Sequence, residues 1–335
     1  MIIPGPVTSG FSEHPGLNRG KCRFDRIYSG RLGTKFLAMY YRRHTLLALL
    51  EHVGNRVNKI RFQKLLFLFS QRQEIPTYHF LPCKYGCYSF QAAQDAEVLA
   101  DRYHMLAVSD HHYSLDAEGK KGNFLATLTQ NDRTQIEFVL QTHRNQSNRD
   151  LIREVYREYP SYAVNSELLD HPYYKDLRAS IEQEKLKAST KSPVLYTIGY
   201  EGLCIEQFIF RLIEHGVEML VDVRCNPLSR KYGFSKNQLN DIVDKCGIRY
   251  LHIPTLGIKG SERRNLKSRA DYDRLFHKYR SSLPLKEDEL NRFQDILREY
   301  PRTALTCFEK EHTWCHRDVL AEAIHEKYRV QVEHL

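Results

Sequence analysis

From Pro193 onward the chain alternates short apolar runs with segments of helical period, and that alternation restricts its possible folds more than any other feature. Val194-Leu-Tyr-Thr-Ile-Gly199 reads as a buried strand, Ile205–His215 as a helix closed by Gly216, and Met219-Leu-Val-Asp-Val-Arg224 as a second strand. Helix 235–246, strand 248–252, a long loop at 253–269, helices at 271–281 and 286–299, strand Thr303–Phe308, helix 315–328 and strand 329–334 continue the order. Such alternation predicts an α/β fold: a mainly parallel sheet with helices on both faces, whose ligands lie beyond the carboxyl ends of the strands. That rule selects three clusters: Tyr200 and Glu201 after the first strand, Asp222, Arg224, Ser229 and Arg230 after the second, and Cys307, Glu309, Cys315, His316 and Arg317 around the fourth.

The preceding half reads differently. Leu46, Leu47, Leu49, Leu50 and Val53 fall at helical spacing before Gly54-Asn55, and Ile60 to Phe69 restarts the period until Ile75-Pro76 ends it. An aromatic turn or short extended segment at 78–90 precedes an amphipathic helix from Gln91 to Tyr103, and helices are expected at 131–143 and 147–158. A mostly helical domain over 39–166 results, and the charged stretch 167–192 is the expected linker to the α/β domain at 193–335. Residues 1–38, rich in Gly, Pro, Ser and Arg, read as a flexible basic arm, with Met39 as an alternative start.

Length fits this division, since 335 residues exceed what a single core ordinarily holds. No apolar run approaches the roughly 18 residues of a bilayer span, so no membrane partner is expected. Eight cysteines without a Cys-x-x-Cys pair or a secretory leader point to a reducing cytoplasm rather than a disulfide scaffold. The net charge of +9 is uneven. The arm holds six basic residues against Glu13 and Asp25, and 224–269 holds eleven, Lys236 and the Gly257–Arg269 loop among them, against three acids. A basic segment beginning at a candidate site fits a nucleic acid or nucleotide held beside the crevice, against the plainer reading of a solvated loop.

Four chemistries compete for the clusters. Asp222 and Glu309, at neighbouring strand ends, could serve as base and acid for hydrolysis or N-glycosidic cleavage, with Arg224, Arg230 and Arg317 gripping phosphate. Cys315, opening a helix beside His316 and Arg317, could act as a thiolate nucleophile. Cys307, Cys315 and His316, with Glu309, offer a metal donor set of uncommon spacing, zinc being the ion considered. The fourth option is binding without turnover. Asp222 and Arg224 also admit a structural reading, as an ion pair on one face of a strand.

Two resemblances bear on these options. Lys64-Leu-Leu-Phe-Leu68, Phe80-Leu-Pro-Cys-Lys-Tyr-Gly-Cys-Tyr-Ser-Phe90 and Asp95 resemble the Panacea (SocA-like) domain, which implies an antitoxin-like, chaperone-like or phage-associated module that binds a protein partner. Thr197-Ile-Gly-Tyr-Glu-Gly202, Val221-Asp-Val-Arg224 with Pro227, Ser229 and Arg230, Gly233-Phe-Ser-Lys236, Gly247-Ile-Arg-Tyr-Leu-His252 with Leu256-Gly257, Cys307-Phe-Glu309 and Cys315-His-Arg317 resemble the domain of unknown function 488 family over about 193–335. That resemblance implies an α/β domain with its site at the Asp-x-Arg, Cys-x-Glu and Cys-His-Arg motifs. The combined expectation is a nucleic-acid- or nucleotide-directed hydrolase, catalysed by Asp222, Glu309, His316 and Cys315, with Tyr200, Glu201, Arg224, Ser229, Arg230, Lys236 and Arg317 binding substrate. DNA repair or phage defence would be its setting. A nucleotide-sensing regulator and a thiol-dependent transferase are the alternatives.

Overall fold

A computed structural model describes residues 39–187, 193–264 and 266–335. Arg42–Leu335 form one large compact unit. The arm expected at 1–38 lies outside the described residues.

The first part of the large unit carries helices α1 (Tyr41–His52), α2 (Lys59–Ser70), α3 (Phe90–Asp101), α4 (Gln130–His143) and α5 (Asn148–Glu158). Strands β2 (Leu81–Cys83) and β3 (Gly86–Tyr88) form a hairpin, while β1 (Arg56–Asn58), β4 (Leu106–Val108) and β5 (His112–Leu115) form an antiparallel sheet in the order β1-β5-β4. Capping explains where the helices start. Asn58 accepts from the Ile60 and Arg61 amides, and Ser89 from that of Ala92, so each satisfies backbone donors with no partner inside its helix. Every residue of α2 from Phe62 to Ser70 is buried, which makes it the central helix of this half.

Among the described residues the second half is an α/β layer fold, as the alternation predicts. Strands β6 (Val194–Gly199), β7 (Met219–Asp222), β8 (Arg249–His252), β9 (Arg302–Cys307) and β10 (Gln331–His334) form a parallel sheet in the order β10-β6-β9-β7-β8. Helices α7 (Ile205–Glu214) and α8 (Lys236–Lys245) contribute to one apolar layer, and α9 (Arg269–Ser282), α10 (Glu287–Glu299) and α11 (His316–Tyr328) to the other. Covering both faces buries the central strands, and β6, β7 and β9 are buried along their whole length. Full burial of a side chain such as Leu220 or Leu305 contributes about 1.5–3 kcal/mol.

The expected linker needs correcting. Residues 167–187 form two 3-10 turns and helix α6 (Arg178–Lys187), which bury Tyr174, Leu177 and Ile181 despite the surrounding charge. Residues 188–192 of that expected linker lie outside the described residues. The seam expected before Pro193 does not separate two contact units either. Leu81, Cys83 and Phe90 belong to the same apolar cluster as Phe208, Ile242 and Cys246. Glu206 Oε1 accepts from the Gln91 amide at 2.7 Å, and Asn165 Nδ2 donates to the Cys246 carbonyl at 3.2 Å.

Candidate active site

Parallel register sets the carboxyl ends of β6, β9 and β7 side by side: Gly199 pairs with Cys307, and Asp222 with Thr306. Gly199 is there because nothing larger fits. A Cβ on it would stand 1.7 Å from the Glu309 carbonyl oxygen, so the loop after β9 can cross the end of β6 only over a glycine. Arg317, at 1 % exposure, secures that loop by donating to the carbonyls of Glu309 (2.5 Å) and Lys310 (2.9 Å). Glu201 adds a tether, accepting from the Lys310 amide at 3.0 Å. Both were expected to bind substrate. Neither lines the crevice, and both shape its wall.

Asp222 is similarly reassigned. It is fully buried, and its two oxygens accept from the Arg224 amide (3.0 Å), Arg224 Nε (2.8 Å), Arg224 Nη2 (2.5 Å) and the Tyr250 hydroxyl (2.7 Å). Four donors occupy the lone-pair sites a carboxylate offers, leaving none for a water or a substrate. Arg224 donates through Nη1 to the Tyr200 hydroxyl (3.0 Å) and the Phe234 carbonyl (2.8 Å). Burial works against its charge, but the hydrogen bonds and field of Asp222 prevail and hold its pKa above the ordinary arginine value. This is the structural ion pair the sequence left open, and it fixes Tyr200, whose ring stacks on Phe234 at 4.3 Å between centroids.

The crevice itself is a cavity of about 490 Å3. Of the candidate residues, Tyr200, Arg224, Ser229, Arg230, Cys307 and His316 line it, together with Cys225, Leu228, Lys231, Phe308 and Arg263, which were not among the candidates. Lys236, at the start of α8, is exposed and lies off the cavity. The basic segment is also less bare than its charge implied. Arg224 pairs with Asp222, Arg263 with Glu309, Lys245 with Asp241 and Arg269 with Asp273.

At the floor, Cys307 Sγ lies 3.2 Å from Glu309 Oε2 and 3.8 Å from His316 Nδ1. His316 is buried, and its Nε2 sits 3.1 Å from the Val223 carbonyl. That contact requires a proton on Nε2 and leaves Nδ1 to accept from Arg263 Nη2 at 2.9 Å. The same guanidinium pairs with Glu309. A hydrogen bond from Cys315 holds the Cys307 thiol well below the ordinary cysteine range, with His316 and Arg263 adding to the effect and burial opposing it. Cys315 moves the other way, pushed up by burial and by Cys307 beside it. Cys307 lines the cavity, whereas Cys315, expected as the nucleophile from its helix-opening position, does not. Cys315 is fully buried and lies off the cavity.

Donor atoms of Cys307, Cys315 and His316 all lie within 4.8 Å of one another, the set expected for zinc. The electrostatics do not fit a metal in this arrangement. Arg263 already bonds the imidazole nitrogen and the carboxylate that would complete the set, so a cation stands where the ion would go. Sequence alone offered little sign of Arg263, which comes from a 3-10 turn (Gly260–Arg263) inside the long loop; its only signal was that loop's basic composition.

With this geometry in hand, comparison with known families places residues 204–324 in a match to the family described as Domain of unknown function DUF488. The match includes Asp222, Arg224, Arg263, Cys307 and His316, and begins after β6. No curated protein matches the chain. No described helix is long and apolar enough to cross a membrane.

Proposed function

We propose that the second half is a thiol-dependent hydrolase or transferase for an anionic, nucleotide-like substrate, with Cys307 as nucleophile. The observation that carries this reading is the position of the Cys307 thiol. It lines the cavity, faces Glu309 Oε2 at 3.2 Å, and is flanked by the Arg263 guanidinium and the His316 imidazole. In the reaction the sulfur forms a bond to an electrophilic centre as the bond to the leaving group breaks. The sulfur attacks as a thiolate, and the leaving group takes up a proton from solvent as it departs. Water, or an acceptor in the transferase case, then cleaves the bond to sulfur, gives up a proton to solvent and restores the thiolate.

Substrate class follows from the walls. Arg230 and Lys231 supply positive charge at the cavity, and Arg263 supplies it beside the sulfur. Phe308, 47 % exposed, and Leu228, 76 % exposed, offer an apolar surface on which a base could stack. Carboxylate-only hydrolysis has less support, because Asp222 has no free lone pair and no exposure. The helical half, by its Panacea resemblance, is assigned to binding a protein partner.

A panel of nucleotides and short oligonucleotides, assayed with the full chain, tests the proposal. Turnover lost in Cys307→Ser with the fold intact, together with preferential labelling of Cys307 by iodoacetamide, supports it. Equal turnover in wild type and Cys307→Ser overturns it.

A further inference from the structure

A second cavity, of about 650 Å3, lies elsewhere, between the β2–β3 hairpin, α2, α3 and α8. Its walls include the apolar side chains of Ile60, Tyr88, Phe90, Ala93 and Ile242. Lys64 also lines it, at 1 % exposure on the buried face of α2. The ammonium donates to the Tyr85 carbonyl at 2.6 Å and the Cys87 carbonyl at 2.9 Å. Those bonds place it but bring no negative charge, and no carboxylate pairs with it among the described residues.

A buried cation without a counter-ion is costly, and the ammonium of Lys64 reaches only neutral partners here, the Tyr85 and Cys87 carbonyls and the Cys87 thiol. The other lysines at this cavity do not share the situation: Lys84 pairs with Glu167 and Lys245 with Asp241. An anion reaching Lys64 would neutralise that charge, and whatever is attached to the anion would lie against apolar walls. The volume is that of a site for a small organic molecule.

We propose that this cavity binds an amphipathic anion, a single carboxylate or phosphate head on an apolar body, with the head on Lys64 and the body along Tyr88, Phe90 and Ile242. The site is separate from the Cys307 cavity and does not depend on the reading given to it.

Decanoate is a suitable probe, decyltrimethylammonium its cationic control, and acetate the head alone. Calorimetric titration of the full chain should give one saturable site for decanoate and none for the other two, with a matching rise in the thermal midpoint. Ala93→Phe, a change at a half-buried wall position, should abolish decanoate binding while leaving the midpoint of the free protein in place. Lys64→Gln should weaken binding at least tenfold. Equal binding of the two amphiphiles by the wild type, or undiminished decanoate binding by Ala93→Phe, would overturn the proposal, and the wild-type comparison decides even if a variant fails to fold.

Discussion

Asp222 and Cys307 stand one register position apart at the ends of neighbouring strands, yet their surroundings give them opposite roles. Asp222 is surrounded by donors that use all of its acceptor capacity, and the hydrogen bonds of its partner Arg224 are almost as fully taken up. Cys307 faces a cavity with a carboxylate, an imidazole and a guanidinium converging beside a sulfur that has no fixed covalent partner. Being charged and at the right edge of the sheet is therefore not enough for chemistry. What distinguishes the two is whether a lone pair is left free on the side that opens to a ligand.

The sharpest way to break this contrast is to exchange the expected consequences. Asp222→Ala leaves Arg224 buried without its counter-ion, and such half-removals cost about 3–5 kcal/mol. Cys307→Ser removes no ion pair and should cost less than about 1 kcal/mol, while abolishing alkylation at that position. Urea denaturation of both variants checks the pair of outcomes. An Asp222→Ala variant with a wild-type midpoint would mean that Asp222 does not anchor the strand end.

Gly199→Ala connects the two regions through the backbone. Its new methyl group collides with the Glu309 carbonyl, so the loop carrying Phe308 and Glu309 must shift. Overpacking of this kind costs about 1–3 kcal/mol. The shift should also slow Cys307 alkylation without touching the sulfur, and unchanged alkylation kinetics would show that the loop does not position Glu309.

Arg263→Met tests the electrostatics of the thiol. Cys307 is held below the ordinary thiol range in part by Arg263, so alkylation of the wild type should persist at pH values where an ordinary cysteine, at about 8.5, has lost its reactivity. Removing the guanidinium should move the half-maximal pH upward. An identical pH profile in the variant would leave Cys315 and His316 as the sole causes.

These contrasts also show what could be read from sequence. The parallel sheet was legible because its central strands are largely apolar runs bounded by turn residues, as in Val194 to Gly199, and because four of the five are followed by a helical period. The β1-β5-β4 sheet was not, since its strands of three or four residues carry polar side chains such as Arg56 and His112 and show no alternation long enough to detect. Helix α6 was hidden by its charge, with Ile181 as its buried residue. Within the site, Asp222, Arg224, Cys307 and His316 were all identified, but roles depend on which donors reach which oxygens. An arginine two residues along can fold back onto its own strand's aspartate, and the sequence cannot show that. Arg263 was missed as a site residue because its place is set by the path of a loop.

Glu206 gives the smallest effect and the one most specific in its pH dependence. It is 1 % exposed in the first turn of α7, where one oxygen takes the Gln91 amide and the other has no hydrogen-bond partner. Burial raises its pKa above the usual 4.5, against the pull of its hydrogen-bond donors. A raised folded-state value means that the folded protein holds this proton more tightly than the unfolded chain. Its contribution to stability is therefore complete below about pH 4.5 and is lost as the pH climbs through the folded value. Glu206→Gln keeps the shape and removes the charge. The variant should match the wild type near pH 4 and become the more stable of the two as the pH rises, levelling off once the wild-type carboxyl has ionised in the folded state. The height of that plateau reports the shift at about 1.4 kcal/mol per unit. Thermal unfolding at pH 4, 6 and 8 measures it, and a difference between the proteins that stays constant across that range would mean that Glu206 titrates as it does in the unfolded chain. Because this carboxyl joins α7 to the start of α3, the same series reads how strongly ionisation at that junction works against the contact between the two halves.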